Sequence, residues 1–172
     1  MTRTTNARIA GVTFFFYLAA GIGLLALSGR PHARELLSWA TSFSALVLGV
    51  TLYAITRDED RDLALLALTC RIIEAVPGHV GAIYFAVGST IFCWLLLRGR
   101  MIPAVLAWLG VAASVLLVVI VPVQRAGLIG PGANWASSIT WFMWLPMLVF
   151  ELTVAVWFIV KGVAAPARTQ PA

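Results

Sequence analysis

Charge is scarce in this sequence. Asp, Glu, Lys and Arg make up 11% of its 172 residues, where soluble domains carry near 25%. No run of five basic residues occurs, so the net charge of +5 does not read as a nucleic-acid surface. The arginines stand singly between apolar blocks, as loop charges that fix topology and meet lipid headgroups. There are two cysteines, Cys70 and Cys93, without CxxC spacing. They support neither a disulfide framework nor a thiolate metal site and read as apolar filler. Walker, Rossmann, GxSxG and HExxH patterns are all missing. No internal repeat stands out, and nothing calls for a cofactor or a metal.

What the chain has instead is hydrophobic residues, 61% of the total. They come in long blocks: Ile9 to Leu27, Leu36 to Thr56, Val80 to Leu97, Met101 to Val123, and Ser138 to Val160, the last broken only by Glu151. Each is close to the roughly 20 residues that a helix needs to cross a bilayer core of about 30 Å. Only helices and closed barrels satisfy their backbone in lipid, and barrel strands would alternate polar with apolar. The expected fold is all-α, a polytopic transmembrane helical bundle forming one domain over residues 1–172. Arg3 and Arg8 ahead of the first block resemble a signal peptide, with Ala26-x-Ser28 as a cleavage site. The block exceeds the 7–15 residues of a signal core, however, and reads as an uncleaved first helix.

The number of crossings turns on Leu63 to Leu97. One helix there would stretch about 52 Å, far more than a membrane, and Pro77 would kink it. Two helices joined at Pro77-Gly78, a common turn dipeptide, are the alternative. Six spans then cover about 9–28, 36–56, 60–76, 80–97, 102–123 and 138–160; a mere kink leaves five. With six spans, and the N-terminus inside, eight Lys and Arg lie inside against three outside; with five the split is five against six. The positive-inside rule favours six, with both termini cytoplasmic. Trp39, Trp135, Trp141 and Trp144 then form an outer aromatic belt, and Trp94, Trp108 and Trp157 an inner one. Small residues four apart, Ala19/Gly23 and Gly110/Ser114, are expected at helix contacts.

Three charges fall inside the spans. Arg71 follows Arg61 by ten residues and Glu151 precedes Lys161 by ten, so both lie about 15 Å from the same face. Glu74 is one turn outward of Arg71 on the same helix face. A lone charge at mid-membrane costs several kcal/mol, so a buried polar cluster of Arg71, Glu74 and Glu151 is expected. In one reading the guanidinium fork clamps both carboxylates. In the other, one positive and two negative charges leave a carboxylate to bind a proton or a cation. His32, Glu35 and His79 form a second, weaker candidate, an outer-side polar or metal site. The hydroxyls of Ser38, Thr41, Ser42, Ser44 and Thr51 bond to backbone carbonyls or line a polar cavity.

Four stretches resemble a bacterial membrane-protein family called domain of unknown function 4386: RIAGVTFFFYLAAGIG (8–23), LALLALTCRIIEA (63–75), FCWLLLRGRMIPAVLAWLGV (92–111) and FELTVAVWFIVKG (150–162). The resemblance implies an inner-membrane protein of about six or more helices and no particular activity. Arg71, Glu74 and Glu151 match polar positions of those patterns. Three functions stay open. The first is a protein that moves or senses a small solute or proton through the cluster. The second is a structural or accessory bundle. The third, an enzyme, is the weaker reading: an intramembrane lipid-modifying activity using Glu74, Glu151 and His79. The expected partners are the bilayer and a small-molecule or proton ligand, with no nucleic acid.

Overall fold

The computed structural model describes residues 2–27, 29–76, 81–129 and 137–164. They form six helices and, among the described residues, no strand: α1 (Arg3–Ala26), α2 (Pro31–Thr56), α3 (Arg61–Ala75), α4 (Gly81–Arg98), α5 (Ala104–Arg125) and α6 (Ser138–Val160). Consecutive helices pack together and α6 returns to α1, which closes a ring. Five helices are long and apolar enough to cross a membrane, α3 being the exception. The chain is a multi-pass membrane protein built as a helical bundle.

Local chemistry sets the helix ends. The Thr2 hydroxyl accepts a hydrogen bond from the Thr5 N–H at 3.1 Å, which starts α1 inside the polar tail, ahead of the apolar block. Asp60 caps α3 in the same way through the Leu63 N–H, and Pro31 opens α2. α3 stops at Ala75 because Val76 precedes Pro77 and takes an extended conformation, φ −76° and ψ 126°.

α3 and α4 are two antiparallel helices, not one kinked rod. A Cβ on Gly81 would lie 3.4 Å from the Glu74 carbonyl oxygen, and one on Gly88 would lie 3.0 Å from Cys70 Cβ. Chain order thus runs backwards along α3 as it advances along α4. The joining residues 77–80, with Pro77, Gly78 and His79, lie outside the described set, as does Trp135.

Alternation gathers both ends of the helical chain at one end of the bundle, here called the termini end. Arg3 pairs with Asp58 there. Arg98 pairs with Glu59 at 3.1 Å and Asp60 at 3.6 Å, and the Ala164 N–H donates to the Met101 carbonyl at 3.0 Å. Phe14, Phe92, Phe150 and Phe158 are buried between this end and the middle. Glycines let the helices approach closely: a Cβ on Gly11 of α1 would meet the Ala155 carbonyl oxygen of α6 at 2.7 Å. Gly110 and Ser114 are buried at the α5 contact as expected, and a Cβ on Gly23 would lie 2.9 Å from Leu37 Cδ1 of α2, whereas Ala19 is exposed.

Candidate functional site

Arg71 is placed by close helix contact. A Cβ on Gly49 of α2 would sit 2.9 Å from Arg71 Cβ, so α3 is pressed against α2 at that level. The Arg71 side chain is only 1% exposed. Its Nη1 donates to Glu74 Oε2 at 2.9 Å and its Nη2 to Ser89 Oγ of α4 at 3.0 Å. The guanidinium carbon lies 4.8 Å from the centre of the Phe85 ring. From α1, the Tyr17 hydroxyl donates to Glu74 Oε1 at 2.7 Å. Both Glu74 oxygens are therefore engaged, and one polar chain, Tyr17–Glu74–Arg71–Ser89, ties α1, α3 and α4. Hydrogen bonds to charged groups are the strong ones, more so where water is excluded. Arg71 Nε has no partner among the described residues.

Glu151 stands apart from this chain. It is 3% exposed, and its Oε1 has no hydrogen-bond partner among the described residues. The Arg71 fork does not serve both carboxylates: it holds Glu74 and Ser89. Glu74 is the partner that α3 itself delivers one turn away, and Ser89 takes the second nitrogen. Glu151 lies within electrostatic reach of Arg71 and Glu74. The helices are level there, since a void of about 10 Å³ is bordered by Arg71 and by Met147, Phe150 and Val154 on either side of Glu151 in sequence.

Glu151 lines a second, much larger space. A cavity of about 490 Å³ occupies the half of the bundle away from the termini. Its lining includes Tyr17, Arg34, Thr41, Phe85, Trp144 and Glu151, filled in by leucines of α1 and α6. Tyr17 and Phe85 stack with ring centres 6.3 Å apart, and Phe85 and Trp144 with centres 5.7 Å apart. Arg34 donates to the Leu24 carbonyl at 3.1 Å, which holds its charge beside α1 near the far end. A shallower cleft of about 420 Å³ lies at the termini end, beside Arg100 and Lys161.

The weaker sequence candidate is not assembled by the described residues. His32 and Glu35 are exposed near the start of α2, and His79 lies outside the described set. Among the described residues no three His, Cys, Asp or Glu come together as a metal site. The α2 hydroxyls turn to the backbone: Thr41, Ser44 and Thr51 donate to the carbonyls of Leu37, Ala40 and Val47. Thr41 also borders the cavity. Sequence reasoning missed Tyr17, Phe85, Ser89 and Arg34. Tyr17 ends the run Phe14-Phe15-Phe16 and differs from it by one hydroxyl; Ser89-Thr90 is the one adjacent hydroxyl pair in α4. Those were the available signals.

No curated protein and no solved structure matches the chain. A family model does, over residues 77–162, half of the sequence. The matched stretch holds α4, α5 and α6, and with them Phe85, Ser89 and Glu151; Tyr17, Arg71 and Glu74 precede it. Glu151, with its one oxygen unpartnered among the described residues, and Phe85 and Ser89 beside Arg71 thus lie in the segment that carries the match, and the protein belongs to the family described as domain of unknown function (DUF4386).

Proposed function

We propose that this is a six-crossing protein of a bacterial inner membrane, with both termini cytoplasmic, that binds a small solute or a proton at Glu151 and thereby senses or carries it. The topology is supported by charge. Arg3, Arg8, Arg57, Arg61, Arg98, Arg100 and Lys161 belong to the termini end, against Arg30, Arg34 and Arg125 at the far end. α3 has 15 residues and is about 22 Å long. Local thinning and snorkelling of Arg61 would let so short a helix cross.

One observation carries the functional reading: Glu151 keeps a buried carboxylate oxygen, unpartnered among the described residues, beside a cavity of about 490 Å³. Burying a carboxylate without a partner costs several kcal/mol, and such intramembrane groups mark ligand and proton paths. Ligand sites usually occupy about 300–1,000 Å³. Arg71, Glu74, Tyr17 and Ser89 are bonded to one another, and only Arg71 Nε is left without a partner among the described residues, so their role in this reading is structural. An intramembrane enzyme using Glu74 as acid or base has less support, because both of its oxygens are taken.

Cysteine accessibility in intact cells tests the reading. With a membrane-impermeant methanethiosulfonate added outside, Gly78→Cys should react if six crossings are made. Thr41→Cys, on the cavity wall, should also react. Phe43→Cys, whose native side chain is 70% exposed on the apolar surface, should not. If Thr41→Cys is as inert as Phe43→Cys, the cavity is closed to solutes and the reading fails.

A further inference from the structure

The chemistry around Glu151 narrows the ligand. We infer that the cavity takes a monovalent organic ammonium with an apolar body, its charged head against the Glu151 carboxylate. This rests on the reading above and names the class of solute.

Charge balance comes first. Arg71 and Glu74 form a neutral pair at 2.9 Å. An ionised Glu151 adds one negative charge that this pair does not offset, and a single positive charge on a ligand would offset it. A metal ion is a poor candidate for that charge. Divalent ions want several hard oxygen ligands, and no group of three His, Cys, Asp or Glu exists among the described residues. An anion would face the Glu151 carboxylate, with both terminal nitrogens of Arg71 already engaged.

The rings come second. Tyr17, Phe85, Trp141 and Trp144 line the same cavity as Glu151. Aromatic faces attract ammonium groups, most strongly where water is excluded, and tolerate alkyl substituents that a hydrogen-bonding cage would reject. Phe85 already has the Arg71 guanidinium carbon 4.8 Å from its ring centre, so this aromatic layer accepts a cation in the structure as it stands.

Arg34 fixes the direction. It lines the cavity with Thr41, which follows it on α2 by about 10 Å of helix rise, so Arg34 lies on the far side, away from Glu151. A second positive charge on the ligand would meet Arg34. The ligand is thus a monocation that goes head first toward Glu151, with its apolar body among the leucines of α1 and α6.

A ligand pair that differs only in charge tests this. Benzyltrimethylammonium and neopentylbenzene have the same shape, with nitrogen replaced by carbon. Their binding to the full chain in lipid nanodiscs is measured by titration calorimetry, with empty nanodiscs as the blank. The inference expects saturable binding of the ammonium, at least tenfold tighter than that of the hydrocarbon. Glu151→Gln should abolish that preference while the folded bundle persists. Equal affinities, a preference for the hydrocarbon, or no binding of either would overturn the inference, as would an ammonium preference that survives Glu151→Gln. Should that variant fail to fold, the two ligands decide the matter in the wild-type chain. Failure here together with a reactive Thr41→Cys removes the ammonium and leaves the open cavity; an inert Thr41→Cys removes both.

Discussion

Between the termini end and the middle of the bundle, Phe14, Phe92, Phe150 and Phe158 are buried and border a void of about 10 Å³. In the far half, Tyr17, Phe85 and Trp144 border about 490 Å³. The two regions meet at the level of Arg71 and Glu151, and each treats its charge according to its packing. On the closed side Arg71 is fastened to Glu74 and Ser89. On the open side Glu151 keeps an oxygen without a partner among the described residues. The contrast separates a charge that builds the fold from one available to a ligand, although both lie at the same level of the bundle.

Substitutions break or sharpen that contrast, and all are read as unfolding free energies of the purified protein in bicelles. Arg71→Met should have the largest effect, a loss of about 3–5 kcal/mol, because it strands Glu74 as a buried unpaired charge. The double variant Arg71→Met/Glu74→Leu should recover most of it; no recovery would mean that Arg71 acts through other partners. Tyr17→Phe comes next, at about 2 kcal/mol, since it frees one oxygen of a charged acceptor. A value near zero would detach α1 from the polar chain.

Two glycines of α1 then compare the regions directly. Gly11→Ala should destabilise by about 1–2 kcal/mol, because the new Cβ would lie 2.7 Å from the Ala155 carbonyl oxygen and 2.8 Å from Ile159 Cγ1. Gly21 borders the cavity, and its Cβ would meet nothing within 4 Å among the described residues. Gly21→Ala should therefore stabilise by up to about 1 kcal/mol through helix propensity alone. Similar losses at both positions would mean that the far half is as tightly packed as the other.

Much of the architecture was legible in the sequence because bilayer thickness and helix rise leave few choices. Block lengths give the helical class, and α6, Ser138–Val160, has the bounds of its apolar block. The start of α1 was not visible: its apolar block opens at Ile9, but the Thr2 cap carries the helix back to Arg3. Helix arithmetic singles out Arg71, Glu74 and Glu151 as charges in apolar surroundings. It does not say who pairs with whom, because that depends on helix rotation and neighbours. Ser89 took the second Arg71 nitrogen, and no periodicity marks it as a partner. The cavity arises from side chains of four helices that leave space between them, a property of packing that linear order does not record.

The central claim is that Glu151 contributes nothing to the fold. Its most direct test is the unfolding free energy of Glu151→Leu measured against Arg71→Met under the same conditions. The account predicts that Glu151→Leu is as stable as wild type or more stable, since it removes a buried carboxylate with an oxygen that has no partner among the described residues. A loss of about 3 kcal/mol or more, matching that of Arg71→Met, would contradict it and make Glu151 a structural partner of the Arg71 chain.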